Sequence, residues 1–310
     1  MIMTGTMGRP SNRIINDGLA IYSYGSGEPL LLMPHPHGIG DVSGPLMQGL
    51  VRELKGMGRQ VVTFDPPQSG RSRRPARVNM AEMLECAEEA LTVCGLEGPV
   101  DVMGHCHGGL AALALAIERP ERVRSLILVG SVAAISSYKR APGALWNLSH
   151  PLFWRWWFFM AALVLSHRLA MEKLMWNVIR RASFVDQTYA GPRRVRRRDL
   201  LRRCGPRSRW LHPLALRADA PRRLDYRQRL QEVGVPTLVV VGDYDPQMPR
   251  SCSEELERGI PNARLATLER SGHFPFVEEP EAFWAAIGGF LSPEQAERPA
   301  HQQTTGLSAP

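Results

Sequence analysis

The chain has 310 residues, 44% of them hydrophobic, and a formal net charge of +8. That is enough apolar material for one large core, or for a core with an inserted segment. Segment 193–209 holds nine Arg and one Asp and accounts for the whole charge excess; the near-neutral remainder argues against a protein that binds nucleic acid over its entire surface.

No charged and apolar leader opens the sequence, and no secretory signal is expected. The longest apolar run, 151–165, is too short for a membrane span and carries Arg155. The five cysteines, Cys86, Cys94, Cys106, Cys204 and Cys252, are odd in number. Their spacing fits neither a disulfide framework nor a zinc site, which points to a reducing, cytoplasmic setting.

Taken in chain order, strands and helices alternate. Residues 13–25 read as two strands joined at Asp17–Gly18, a strong hairpin signal. Residues 29–33 (PLLLM) form a buried strand, 45–58 an amphipathic helix and 59–65 a strand. A helix over 80–95 is stopped by Gly95, with Cys86 and Cys94 as small apolar fillers. A strand over 99–104 runs at once into a helix over 107–120, and a strand follows at 122–131. From 135 to 232 the pattern changes to helical segments rich in Trp, Phe and Arg. Alternation resumes with strands at 235–242 and 263–269 and helices at 251–260 and 279–291. The polar, Pro-rich tail from 293 reads as disordered. These elements predict an α/β core of 1–134 and 233–292, mostly parallel, with helices on both faces. A helical cap, 135–232, is inserted into it, and a tail, 293–310, follows.

The stretch MGHCHGG, 103–109, joins a strand to a helix. Gly104 and Gly108 stand two residues before and after Cys106, as a sharp turn that exposes a nucleophile requires. The thiol sits at the start of a helix, where free N–H groups and the dipole favour the thiolate. A thiolate still needs a base, and the base an orienting acid. His273 lies in a Ser-Gly-His loop after a strand, and Asp243 and Asp245 follow the end of another. In a parallel sheet these loops converge on one edge. The order nucleophile, acid, histidine is that of nucleophile-elbow enzymes. His35, His37, His105 and His107 fall near Cys106. His105 and His107 flank it on a sharp turn and are expected to point to different sides, so no metal ion is assigned; no cofactor is expected.

The chain resembles the α/β-hydrolase superfamily, and within it the capped proline-iminopeptidase-like and esterase-like group. The similarity rests on GHCHGG, FDPPQSGRSRRP (64–75), RPERVRSLILVGS (119–131), PTLVVVGDYDPQMP (236–249) and SGHFPFVEEPEAF (271–283). It implies an α/β-hydrolase fold and a Cys106–His273–Asp245 triad, since the family's acid stands three residues after the strand-end glycine, Gly242; Asp243 is the alternative. Most relatives carry serine at position 106. Cysteine there resembles the elbow of dienelactone-hydrolase-like proteins. Epoxide hydrolases and haloalkane dehalogenases of this fold use aspartate there, which this chain lacks. The oxyanion hole is expected from the backbone N–H of His107 and a second donor in the loop 34–40, His37 or Ile39. His35, His105, Trp154, Trp157 and Phe274 are expected to line the substrate pocket. The aromatic cluster of Phe153, Trp154, Trp156 and Trp157 would help the cap exclude water.

The resulting expectation is hydrolysis of an ester, thioester or lactone through an acyl-thioester. A thiolate leaves a tetrahedral intermediate more readily than an amine does, which disfavours plain amides. Acyl transfer to an amine or thiol, and a proline-iminopeptidase-like aminopeptidase activity, are the alternatives. The expected partner is a small acyl substrate. Nucleic acid and stable membrane insertion are not expected, and a homodimer is compatible with the sequence.

Overall fold

A computed structural model describes residues 11–35, 45–67, 70–74, 79–140, 183–186 and 224–292. Its centre is an eight-stranded sheet made of β1 (Asn12–Asn16), β2 (Leu19–Tyr24), β3 (Glu28–Met33), β4 (Arg59–Asp65), β5 (Val100–His105), β6 (Val123–Val129), β7 (Thr237–Gly242) and β8 (Ala263–Leu268). The spatial order is β1-β2-β4-β3-β5-β6-β7-β8. β1 and β2 pair antiparallel, and β2 pairs antiparallel with β4. Every other pairing is parallel. Asp17 (φ 40°) and Gly18 (φ 74°) turn the β1–β2 hairpin, both in the left-handed region that a two-residue turn of this kind demands.

The central strands are apolar over most of their length because both faces are covered, with polar residues toward the strand ends. Successive side chains point to opposite sides. In β3, Leu31 and Met33 enter one core cluster while Leu30 and Leu32 enter the other; in β6, Leu126 and Leu128 divide from Ile127 and Val129 in the same way. The first cluster is covered by α2 (Met80–Val93) and α3 (His107–Glu118). The second is covered by α1 (Pro45–Gly56) and, near the end of the described chain, by Phe283 and Ile287.

Several element ends shift by one or two residues from the sequence expectation, and two of the shifts have a cause in the local sequence. α2 stops at Val93, where Gly95 (φ 74°) donates to Thr92 O and Leu96 N–H donates to Leu91 O. This is the paired hydrogen-bond pattern of a glycine-terminated helix. α3 ends at Glu118 rather than 120, because Arg119 precedes Pro120 and adopts φ −141°; the proline ring disfavours helical backbone in the residue before it.

α4 (Ile135–Arg140) opens the inserted region. Ala134 and Asp225 form a bridge, flanked by Tyr226 N–H donating to Ala133 O (2.9 Å). The two ends of the stretch between β6 and β7 are thus tied together. Most of the expected cap, the arginine-rich segment 193–209 and the tail 293–310 lie outside the described residues. After β7 come α5 (Arg250–Gly259), α6 (Pro275–Glu278) and α7 (Pro280–Phe290). Among the described residues, no helix is long and apolar enough to cross a membrane.

Candidate active site

Cys106 stands between β5 and α3 with φ 56° and ψ −124°. Among the described residues, only it and Asp17 combine a side chain with positive φ. Such a conformation costs about 1–3 kcal/mol and persists only where the surroundings enforce it. Here they do. Cys106 N–H donates to Val129 O (2.9 Å), and Cys106 O accepts from Gly109 N–H (3.0 Å) and Ser131 Oγ (3.0 Å). The two glycines of the motif are required by close approach. A Cβ on Gly104 would lie 2.3 Å from Gly108 O, and one on Gly108 would lie 2.7 Å from Met33 O. The thiol is 4% exposed and packs against Val132, Met248 and Cys252.

The loops after β7 and β8 reach the same edge. His273 Nδ1 lies 2.7 Å from Asp245 Oδ2, and both residues are buried. The other carboxylate oxygen of Asp245 accepts from Gln247 N–H (2.8 Å) and Met248 N–H (3.0 Å). Asp243 points elsewhere and pairs with Arg250 on the exposed surface (3.0 Å). Burial alone would lower the His273 pKa. The charges of Asp245 and of a Cys106 thiolate, with their hydrogen bonds, outweigh burial and raise it.

His105 and His107 point to different sides of the elbow. His105 is 2% exposed, with Nε2 donating to His273 O (2.7 Å). Burial, then the His273 charge, pushes its pKa down to about 3, so it is neutral near pH 7. It packs against His273 and Phe274, with ring centroids 4.5 and 5.2 Å away. It therefore lies beneath the histidine loop as a support. His107 opens α3, so its backbone N–H is among those a helix leaves without an intrahelical acceptor. Its Nδ1 lies 3.5 Å from Cys106 Sγ. His35, just past β3, brings its ring to 6.3 Å from that of His107. Phe274 stacks on Phe184 at 5.0 Å. His37, Ile39, Trp154 and Trp157 lie outside the described residues.

Three further residues hold this edge together and carry no local sequence signal. Ser183 O accepts from His273 N–H (2.8 Å), and Gln247 Nε2 donates to Ser183 Oγ (2.6 Å). Glu278 accepts from Gly272 N–H (2.7 Å), Val185 N–H (2.7 Å) and Asp186 N–H (3.1 Å). Burial raises its pKa against those three donors. The histidine loop is thus clamped to a segment of the insertion about 90 residues away in sequence.

The comparisons with known proteins agree with this architecture. The family model described as alpha/beta hydrolase fold matches residues 30–280. A pimeloyl-[acyl-carrier protein] methyl ester esterase of Neisseria meningitidis serogroup C is 29% identical over 208 residues, covering 67% of this chain and 75% of that protein. A 2-hydroxymuconate semialdehyde hydrolase of Pseudomonas putida is 29% identical over 284 residues, covering 89% and 91%. Among solved structures, an alpha/beta fold family hydrolase from Bacillus anthracis str. Sterne superposes with a TM-score of 0.71 at 22% identity, covering 90% of this chain and 98% of the other. A sheet of this order, a strained turn after its fifth strand and a family match spanning most of the sequence together make the chain a member of the α/β-hydrolase family.

Proposed function

We propose that the protein hydrolyses carboxylic esters, thioesters or lactones through Cys106, His273 and Asp245. The observation that carries this reading is the elbow: a cysteine held at φ 56° on the sheet edge where His273 is hydrogen-bonded to Asp245. With Nδ1–H engaged by Asp245, Nε2 is the nitrogen left to exchange a proton with the thiol. The thiolate attacks the carbonyl carbon, and the C=O electron pair moves onto oxygen. The His107 N–H faces that developing charge, with a second donor from loop 34–40. The intermediate collapses as the leaving alkoxide or thiolate takes the proton from His273. The remaining acyl-thioester is attacked by a water that gives its proton to His273, releasing the acid and restoring the thiol. Asp245 keeps the ring in one tautomer and offsets its charge. The methyl ester named for the Neisseria relative supports an ester among these substrates. The cytoplasmic setting and the substrate-pocket residues remain part of this proposal.

A series of p-nitrophenyl esters of increasing chain length tests it on wild type, Cys106→Ser and Cys106→Ala. Hydrolysis is expected to vanish in the alanine variant and to survive in part in the serine variant. Unchanged hydrolysis in Cys106→Ala would overturn the covalent mechanism.

A further inference from the structure

Three soft or borderline ligands meet at the elbow. One ligand atom each from His35, Cys106 and His107 lies within 4.8 Å of the other two. The Cys106 Sγ to His107 Nδ1 separation is 3.5 Å. In a tetrahedral zinc site, with Zn–S near 2.3 Å and Zn–N near 2.0–2.1 Å, the S···N edge is about 3.5 Å. The pair already has that spacing. His35 is kept alongside by backbone packing: Gly108 approaches so closely that a Cβ there would meet Met33 O at 2.7 Å and Pro34 O at 3.3 Å. The end of β3 is thereby pressed against the first turn of α3. A short side-chain movement of His35 closes the third corner. His35 and His107 are only partly buried, which leaves a path for an ion and a fourth position for water.

We propose that Cys106, His107 and His35 bind a soft divalent cation, Zn²⁺ above all, and that the bound ion holds the thiolate out of reaction. A thiolate with two imidazoles selects zinc over the hard cations Mg²⁺ and Ca²⁺. Binding exchanges the thiol proton, released to solvent, for a Zn–S bond, with no change of oxidation state. Metal binding does not depend on the hydrolase reading; only the loss of hydrolysis rests on it.

The test uses the full chain, freed of metal and titrated with Co²⁺ and then Zn²⁺. One equivalent of Co²⁺ should give a thiolate-to-cobalt charge-transfer band together with the visible bands of tetrahedral coordination, and Zn²⁺ should abolish both. Cys106→Ser should lose the charge-transfer band. His107→Gln and His35→Gln should each weaken Zn²⁺ binding, read by competition with a chromophoric chelator, by about tenfold or more. Zinc-edge X-ray absorption on wild type, with one sulfur and two nitrogen neighbours expected, reads the ligand set without any variant. No binding of one equivalent, a band that survives Cys106→Ser, or affinity unchanged in both histidine variants would overturn the site. If ester hydrolysis is present, Zn²⁺ should suppress it and a chelator restore it; hydrolysis indifferent to saturating bound Zn²⁺ would overturn the inhibitory role. Binding without any ester hydrolysis would leave the metal site standing and count against the hydrolase reading instead.

Discussion

The two edges of the parallel sheet are made by opposite ends of the same strands, and they are built on opposite principles. At the amino edge the buried Asp101 accepts from Arg59 Nη1 (2.7 Å), from Arg124 Nε (3.0 Å) and Nη2 (2.8 Å), and from Ser125 Oγ (2.7 Å). Its charge is matched by two guanidinium groups, and Arg59 also donates to Leu291 O, fastening the end of α7. At the carboxyl edge stand a strained Cys106, a buried His273 whose pKa is raised against its burial by Asp245, and Asp65, whose pKa burial lifts to about 6 despite the Tyr22 hydroxyl. One edge satisfies its charges and stabilises the fold. The other keeps charges and backbone away from their resting preferences, which is the usual signature of chemistry.

That contrast can be broken by substitution, starting with the largest effect. Asp245→Asn should lower kcat by roughly 10³–10⁴-fold, because the amide favours the wrong histidine tautomer. Asp243→Asn, two residues away, removes only an exposed pair with Arg250 and should leave both stability and activity close to wild type. Equal rate losses in the two variants would erase the distinction between them. Asp101→Asn should do the reverse of Asp245→Asn. Denaturant unfolding should show a loss of about 3 kcal/mol, since two guanidinium groups lose a buried carboxylate, while kcat of the folded fraction is retained.

Asp65 sharpens the comparison through pH. Its folded pKa of about 6 lies above the ordinary value of 3.8, so the folded state holds the proton more tightly than the unfolded chain. The stability from this group is present in full below pH 4 and is lost as pH rises to 6, by about 2–3 kcal/mol. Unfolding of Asp65→Asn, followed between pH 4 and 6.5, should lack that component; an unaltered pH profile would contradict the assignment. A smaller effect on both readouts concerns the clamp. Glu278→Gln replaces one acceptor oxygen with a donor against three backbone N–H groups. It should cost about 1–2 kcal/mol of stability and lower kcat/KM about tenfold.

The division between what sequence reveals and what it hides follows the same lines. The elbow is local: Gly-x-Cys-x-Gly at a strand–helix junction is readable because the turn's steric needs fall within five residues. The contact of His273 with Asp245 rather than Asp243 agrees with what the family resemblance implies, an acid three residues after the strand-end Gly242. The clamp was not legible, because Ser183, Gln247 and Glu278 meet only in three dimensions, across separations of 64 to 93 residues. The support that His105 gives to the histidine loop was hidden for a related reason. The position of His105 beside the nucleophile suggested a pocket; strand alternation turns it under the sheet edge, against the backbone of His273. The helix ends near 94 and 119 shifted for reasons written in the chain, a glycine and a proline.

The most direct measurement is intact-mass analysis after rapid mixing with an activated acyl ester, followed by peptide mapping. An adduct of the acyl mass on Cys106, absent from Cys106→Ala and with Cys86, Cys94, Cys204 and Cys252 unmodified, is the predicted result. An acyl group on any other residue, or turnover that persists in Cys106→Ala without an adduct, would contradict the account.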